Sequence, residues 1–243
     1  PPKAFMYGIK YEDYKDYSVR KYGAHGTSHK FVSQEAAKYL GKDVSELKTV
    51  TCHLGNGSSI TAVDGGVCVD TSMGFTPLDG VLMGTRSGCI DASAVEFLAR
   101  KKGLNAADMV TYLNKQCGVL GISGVSSDFR DLIAGAEAGN ERCQLALDMF
   151  AYQTKKFVGS YAAAMGGLDC IVFTAGIGEN TPTVREGVCE GLEFLGVKLD
   201  KEANNGKNTG AIREISTPDS KVKVLIIPTN EELVIARETL ALV

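Results

Sequence analysis

The chain has 243 residues, 44% hydrophobic and 23% charged, and its 26 Lys and Arg against 29 Asp and Glu give a net charge of −3. These values are typical of a globular protein with a sizeable core, and they argue against nucleic acid as a partner, which a basic surface would bind. The seven cysteines include no CxxC pair and favour reduced thiols in a cytoplasm, and no leader or apolar run of spanning length indicates a membrane.

The predicted elements begin with one helix and three strands. Residues 1–24 are rich in tyrosine and irregular, and a helix is expected from Ser28 to Leu40. Short β-branched runs then predict an antiparallel meander, with strands near residues 48–54, 58–63 and 67–70. Asp64-Gly65-Gly66 is expected to turn the second strand into the third.

The turn between the first two strands is the most informative stretch of the sequence. It reads His53-Leu54-Gly55-Asn56-Gly57-Ser58-Ser59 and contains the Asn-Gly pair that is typical of a tight hairpin turn. Its backbone N–H groups could also converge on an anion such as a phosphate. The local sequence favours the plain hairpin, with phosphate binding as the alternative.

The segment from Asp70 to Gly88 has no regular period, yet it is apolar enough to pack. Long irregular segments in compact domains are usually functional or disordered, and we expect a functional loop here. Arg86 lies between two glycines of this loop and suits bidentate recognition of phosphate or carboxylate. The plainer alternative is a solvated loop arginine.

The second half of the chain alternates helices and strands, which favours a layered α/β domain. Helices are expected over Asp91–Lys102, Asn105–Gln116 and Asn140–Met165. The apolar run Leu168–Thr174 predicts a buried strand, which Ala175–Asn180 turns into a helix with Thr181 as its cap and Pro182 in its first turn. The end of the chain predicts a surface excursion over 201–220, a strand over Val222–Ile227 and a helix opened by a capping box from Thr229 to Glu232.

Two histidines at the start of the first long helix could carry chemistry. A helix N-terminus favours anions, and His25 and His29 could each add a donor there. In the structural alternative, Ser28 caps the helix and His29 lies on the surface. No convincing third ligand accompanies the two rings, which argues against zinc.

Further candidates lie in three later segments, each with a plainer alternative. Asp128-Phe129-Arg130 offers an acid and a base at the head of a helix, where a cap and a surface ion pair would also fit. Gly176 and Gly178 allow a ligand to approach the backbone, although the wider dinucleotide fingerprint is absent. Glu231 complements a helix dipole or reaches a metal-bound water. Together with Arg86, these parts are what phosphoryl transfer aided by Mg²⁺ requires.

The chain resembles the acetate kinases over essentially all of its length. Seven segments carry the resemblance in order, namely Tyr22–His29, His53–Ser59, Asp70–Leu78, Met83–Gly88, Asp128–Arg130, Gly176–Asn180 and Pro228–Glu232. The resemblance implies an α/β domain of the actin-like ATPase (ribonuclease H-like) fold, a mixed sheet flanked by helices. It implies reversible, direct in-line transfer of the γ-phosphoryl of ATP to acetate, giving acetyl phosphate and ADP, or to propionate or butyrate in a related acyl kinase.

The resemblance also implies roles for individual residues. His25 and Arg86 would bind the phosphoryl group in the transition state, and Glu231 would help to place Mg²⁺ or Mn²⁺. The phosphates of ATP or ADP would lie along His53, Leu54, Gly55, Asn56 and Gly57. The nucleotide would be held by Asp128, Phe129, Arg130, Gly176, Ile177, Gly178, Glu179 and Asn180, and the acetate pocket would include Ala24 and Pro77.

Residues 1–243 correspond, by this resemblance, to the C-terminal nucleotide-binding and dimerisation domain of a cytoplasmic homodimer. Family members have a preceding domain with further phosphate, acetate and catalytic residues, so we expect the chain alone to be inactive, or to act only as a nucleotide-binding, dimer-forming module. Ala24 stands where some members have Phe, and a smaller wall could admit propionate, since one methylene in a pocket is worth only about 1–3 kcal/mol.

Overall fold

The structure is a computed structural model that describes residues 1–242. A six-stranded mixed sheet has the order β3-β2-β1-β4-β6-β5. Its strands are β1 (Lys48–Leu54), β2 (Ser58–Asp64), β3 (Val67–Thr71), β4 (Cys170–Thr174), β5 (Arg213–Glu214) and β6 (Lys223–Ile226). β1, β4 and β6 run parallel, whereas β2, β3 and β5 pair antiparallel with their neighbours. The predicted meander is confirmed, and Gly65 and Gly66 both have the positive φ that its second, two-residue turn requires.

Helices flank the sheet. They are α1 (Pro2–Phe5), α2 (Tyr11–Tyr17), α3 (Gly26–Tyr39), α4 (Ala92–Lys102), α5 (Ala106–Lys115), α6 (Gly118–Ser123), α7 (Phe129–Glu137), α8 (Glu141–Met165), α9 (Ala175–Asn180), α10 (Pro182–Cys189), α11 (Lys201–Asn205) and α12 (Glu231–Leu240). The three long helices expected from hydrophobic spacing are confirmed as α4, α5 and α8. Among residues 1–242, none of these helices combines the length and the apolar character that crossing a bilayer demands.

The core forms two clusters, one on each face of the sheet, because successive side chains of a strand point to opposite faces. Ile171 and Phe173 of β4 pack into the larger cluster, which includes α8 and α10. Cys170 and Val172 of the same strand pack into the smaller cluster with α3. This alternation explains why β4 is apolar throughout, as expected of a strand buried on both faces.

The structure corrects four local expectations. Residues 1–24 contain two short helices, and residues 175–180 form the short helix α9 instead of a plain turn. Helix α3 begins at Gly26 and is not capped by Ser28, whose hydroxyl is bonded to His53. The surface excursion at 201–220 contains α11, in which Asn204 is fully buried.

The last helix is capped differently from the prediction. Asn230 is the N-cap of α12, and its side-chain oxygen accepts from Leu233 N–H at 2.9 Å. The Thr229 hydroxyl donates instead to Ser28 at 2.8 Å, so the predicted capping box between Thr229 and Glu232 is wrong. Thr229 therefore ties the start of α12 to the start of α3.

Candidate active site

A cleft of about 530 Å³ opens at the carboxyl ends of β1 and β4. Because these strands are parallel neighbours, the segments that follow them meet at one edge of the sheet. The cleft brings three of the predicted nucleotide segments together, and its lining includes Gly55, Asn56, Asp128, Phe129, Arg130, Gly176, Ile177 and Asn180. Gly178 lies against the ends of both strands, since a Cβ there would be in ordinary contact with Phe173 C at 3.4 Å and with the Cys52 carbonyl oxygen at 3.6 Å.

The turn after β1 is a three-residue loop, Gly55-Asn56-Gly57, since Leu54 pairs with Ser58 across it. The predicted tight hairpin is confirmed, but neither Asn56 nor Gly57 has the positive φ of an Asn-Gly turn, so that turn type is wrong. Gly57 lies instead close beneath two side chains. A Cβ there would lie 3.3 Å from Arg86 Nη1 and 3.5 Å from His25 Nε2. The imidazole and the guanidinium therefore converge over Gly57, the last residue of the turn.

His25 is the N-cap residue of α3 and holds a left-handed conformation with φ of +61°. Its Nδ1 lies 2.9 Å from Ser59 Oγ, and its ring stacks on the His53 ring with centroids 4.0 Å apart. Burial lowers the pKa of His25, the Glu231 carboxylate raises it, and the Arg86 guanidinium lowers it. The net shift is downward, so the ring is neutral at pH 7 and acts as a hydrogen-bonding group.

Arg86 lies in the long loop between β3 and α4, which is packed as predicted, with Val81, Leu82 and Met83 buried. Arg86 Nη1 donates to the Pro77 carbonyl oxygen at 3.3 Å. Within residues 1–242, no carboxylate forms a salt bridge with this guanidinium. Its positive charge is therefore available to an anion in the cleft.

His29 is buried, so the alternative that placed it on the surface is wrong. Its Nδ1 lies 2.7 Å from Thr51 Oγ1 and its Nε2 lies 2.7 Å from Ser59 Oγ. Burial lowers its pKa to about 3. Burial, together with the neighbouring His25, lowers the pKa of His53 to about 4. All three histidines thus form one neutral cluster at pH 7.

Glu231 lies half-buried in the first turn of α12, and its negative charge raises the pKa of His25. No group of three or more His, Cys, Asp or Glu side chains within residues 1–242 could hold a metal ion. A single carboxylate still fits Mg²⁺, because that ion usually keeps several waters and is bound by one or two carboxylates together with substrate phosphates.

The remaining candidates line the rim and floor of the cleft. Asp128 caps α7 and pairs with Arg130, which lowers the pKa of that carboxyl to about 2. The helix cap and the ion pair are therefore both present, and the same segment also lines the cleft. Leu54, Phe129 and Ile177 are buried, so they face a ligand mainly through the backbone. Burial raises the pKa of Glu179, which is half-buried at the same edge.

The two pocket candidates lie on segments that are bonded to each other. Ala24 follows Gly23, and the N–H groups of Tyr22 and Gly23 donate to the Gly74 carbonyl oxygen at 2.9 and 3.3 Å. Pro77 lies three residues after Gly74, and its carbonyl oxygen accepts a hydrogen bond from the Arg86 side chain. The structure therefore places both beside the phosphoryl-binding candidates.

The sequence analysis missed the hydroxyl groups behind the histidines. Ser59, Thr51 and Ser28 are buried and contact imidazole nitrogens. Alternation along β1 and β2 could have placed Thr51 and Ser59 on the same face as His53, but not opposite α3. Nothing in the sequence indicated Ala175 either, whose φ of +64° marks strain at the start of α9.

The model of the acetokinase family matches residues 1–237. An acetate kinase from Carboxydothermus hydrogenoformans is 59% identical over 243 residues, which cover 100% of this chain and 60% of that protein. The crystal structure of Porphyromonas gingivalis acetate kinase superposes with a TM-score of 0.97 at 46% identity, covering 99% of this chain and 60% of the other.

A propionate kinase from Francisella tularensis superposes with a TM-score of 0.90 at 43% identity, covering 98% of this chain and 60% of that one. This chain spans about 60% of the length of the curated relatives it matches. The mixed sheet flanked by helices is that of the actin-like ATPase fold, as predicted. A family match over 237 of 243 residues settles the relationship, and the chain belongs to the acetokinase family.

Proposed function

We propose that this chain is the nucleotide-binding half of a phosphotransferase that moves the γ-phosphoryl group of ATP to acetate, reversibly and by direct in-line transfer. One observation carries the proposal. His25 Nε2 and Arg86 Nη1 converge over Gly57, in the same turn whose Gly55 and Asn56 line the cleft together with the segments around Asp128 and Gly176. Phosphoryl transfer is catalysed mainly by positioning and by electrostatic stabilisation, which donors aimed at one point provide.

Each candidate residue has a role in this proposal. Arg86 supplies a fixed positive charge, and neutral His25 supplies a hydrogen-bond donor to the phosphoryl oxygens. The turn from His53 to Gly57 lines the phosphates, while the rim from Asp128 to Arg130 and α9 hold the nucleotide. Glu231 helps to hold Mg²⁺, which when bound screens the charge of the phosphate oxygens.

Acetate needs no base to become a nucleophile, because a carboxylic acid of ordinary pKa near 4 is ionised at neutral pH. The site therefore has to bring two anions together without deprotonating either. A single cation and neutral donors around the phosphoryl position meet that requirement. The preference for direct transfer rests on this arrangement.

The decisive assay measures acetyl phosphate formation and ATP binding in parallel, for the 243-residue chain and for a full-length protein that carries it. We expect ATP binding by both and turnover only by the longer protein, because orientation and exclusion of water come from both walls of a closing cleft. Turnover by the chain alone at a rate near that of the longer protein would contradict the two-wall requirement. Absence of turnover in both would contradict the kinase itself.

A related acyl kinase is the second candidate, and Ala24 is the observation that favours it. A small side chain beside the phosphoryl site leaves room for a longer acyl chain. We expect Ala24→Phe in the longer protein to raise the ratio of kcat/KM for acetate over propionate by about tenfold, corresponding to about 1–3 kcal/mol for one methylene. An unchanged ratio would mean that Ala24 does not border the acyl group.

We further propose that this half forms a homodimer in the cytoplasm. Helix α4 has no buried residue although it carries Phe97, which a second copy could cover. All seven cysteines are free, as expected in a reducing compartment. Sedimentation analysis of the wild-type chain and of Phe97→Glu tests the dimer. A monomeric wild type would contradict it.

A further inference from the structure

We propose that Ser59 is a positioning residue that fixes His25 as the tautomer with its hydrogen on Nε2, through a relay that begins at Thr51 and passes through His29. The proposal rests on the proposed function only for its consequence, which is that neutral His25 donates to the phosphoryl group. The relay itself follows from hydrogen-bond distances and from the number of hydrogens available. Each step fixes either the direction in which a hydroxyl donates or the nitrogen on which an imidazole carries its hydrogen.

The relay begins at the Thr51 hydroxyl, which is fully buried. Its oxygen lies 2.7 Å from His29 Nδ1 and 3.4 Å from the Thr61 carbonyl oxygen. Hydroxyl hydrogen bonds have lengths of about 2.5–3.0 Å, so the longer contact is weak. If His29 carried its hydrogen on Nδ1, the Thr51 hydrogen would have only that weak contact. Thr51 therefore donates to Nδ1, because an unmade buried hydrogen bond is costly.

The second step determines which hydrogen bonds the Ser59 hydroxyl accepts and donates. A neutral imidazole has one hydrogen, and with Nδ1 as acceptor His29 carries it on Nε2. Nε2 lies 2.7 Å from Ser59 Oγ and donates to it. The Ser59 hydroxyl then has its own hydrogen free. The neighbouring acceptor is His25 Nδ1 at 2.9 Å, so Ser59 donates there.

The outcome of the relay is the state of His25 at the cleft. With Nδ1 as acceptor, neutral His25 carries its hydrogen on Nε2, which faces the space above Gly57 beside Arg86. A reversed relay would leave a lone pair at that position, which would repel a phosphoryl oxygen. The direction of hydrogens in the buried cluster thus decides whether His25 can stabilise the transition state.

A second, independent relay orients the stacked ring. Thr229 donates to Ser28 at 2.8 Å, which leaves the Ser28 hydrogen free for His53 Nδ1 at 2.9 Å. Ser28 is fully buried, so its hydrogen needs that acceptor. His53 therefore also carries its hydrogen on Nε2. Both stacked imidazoles thus carry a donor on Nε2, and each is held by a buried serine.

The charged and titratable groups around His25 are consistent with a neutral ring. His53 stacks on it and His29 lies behind Ser59, and the pKa of each is far below 7. Arg86 on the loop lowers the pKa of His25, and Glu231 on α12 raises it. Nothing in this set requires an imidazolium, so the relay describes the working state at neutral pH.

The test is nitrogen NMR of the 243-residue chain with labelled histidine at a fixed pH of 7.5. Three histidines give only six ring nitrogens, and protonated and unprotonated nitrogens have well separated shifts. We expect all three rings to carry hydrogen on Nε2 alone. A His25 ring with its hydrogen on Nδ1, or one that averages both tautomers, would overturn the proposal without any variant.

Two variants separate the relay from general structural effects. We expect Ser59→Ala to turn the His25 signals into an average of both tautomers and to leave His53 unchanged. Ser58→Ala is the matched control, because Ser58 is the neighbouring buried serine and its hydroxyl donates to Gly55 O instead of a histidine. It should leave all three rings unchanged. Unchanged His25 signals in a folded Ser59→Ala protein would contradict the role of Ser59.

Activity in the longer protein gives the functional readout. We expect Ser59→Ala to lower kcat about tenfold, less than the loss of a direct oxyanion donor, with KM for ATP changed less than twofold. The ring spectra need no turnover, so a correct relay in a protein without kinase activity would contradict only the proposed function. A retained kcat would overturn the catalytic consequence of the relay.

Discussion

Replacing Gly57 with alanine tests the convergence of His25 and Arg86 directly. The new methyl carbon would lie 3.3 Å from Arg86 Nη1 and 3.5 Å from His25 Nε2, and the first of these distances is shorter than an ordinary contact. Arg86 must move by a few tenths of an ångström, and the methyl fills the space toward which both donors point. Gly57 has no positive φ, so alanine fits its backbone without strain.

We expect a large loss of catalytic rate and no loss of stability. A misplacement of about 1 Å can cost about a hundredfold in rate, or about 2.7 kcal/mol in the activation free energy, and we expect a loss of that order because the methyl group both displaces Arg86 and fills the space above Gly57. The free energy of unfolding should stay equal or rise by about 0.4–1 kcal/mol, because alanine restricts the unfolded chain. The two effects therefore have opposite signs, which separates catalysis from misfolding.

The assay is the initial rate of acetyl phosphate formation by the longer protein, with thermal unfolding measured on the same preparation. Gly159→Ala is the matched control, because a Cβ at Gly159 meets nothing within 4 Å. We expect this control to keep the wild-type rate. A Gly57→Ala protein that keeps more than about a third of the wild-type kcat would refute the reasoning, since the phosphoryl group would then bind at a place other than the space above Gly57.

Three further predictions concern the charge and the burial of single side chains. Arg86→Ala should lower kcat by about 10²–10³-fold with a smaller change in KM, and an intact kcat would remove this guanidinium from the mechanism. The folded protein keeps His29 neutral down to about pH 3, whereas the unfolded chain protonates it near pH 6.5, so its contribution to stability is complete above pH 6.5 and is lost as the pH falls. Between pH 7.5 and 5, the wild type should lose about 2 kcal/mol of unfolding free energy more than His29→Gln does, measured by denaturant titration, and equal losses would contradict the burial argument. Arg185 is fully buried and donates to Asn204 and to Gly178 O, so Arg185→Met should cost about 3 kcal/mol in stability, whereas the exposed Arg100→Ala should cost less than about 0.5 kcal/mol. Equal effects of the two arginine variants would contradict the structural role of Arg185.

The sequence was sufficient to predict the elements of the sheet and the long helices. Hydrophobic period and β-branched runs depend on neighbours along the chain, and these signals placed β1, β2 and α8 within a residue or two. The order of motifs was sufficient for the family. Neither signal depends on contacts between distant segments.

The sequence was not sufficient for details that depend on tertiary contacts. Ser28 looked like a helix cap, but packing of α3 on β1 gives its hydroxyl a histidine partner. Asn56-Gly57 is typical of an Asn-Gly turn, but neither residue has the positive φ of that turn, and Gly57 lies beneath Arg86 and His25. In both cases a local preference was overruled by groups more than 20 residues away in the chain.

The clustering of the three histidines limits how much positive charge the site can hold. The His25 and His53 rings stack with centroids 4.0 Å apart, and two imidazoliums at that distance would repel each other strongly in a partly buried place. Burial has the same effect on each ring singly. Arg86 is therefore the permanent cation at the convergence point, and the imidazoles contribute hydrogen bonds whose direction the buried serines set. This division predicts that the kcat lost in Arg86→Gln is not recovered when kcat is measured at lower pH, because acid would protonate the rings only at the expense of folding stability.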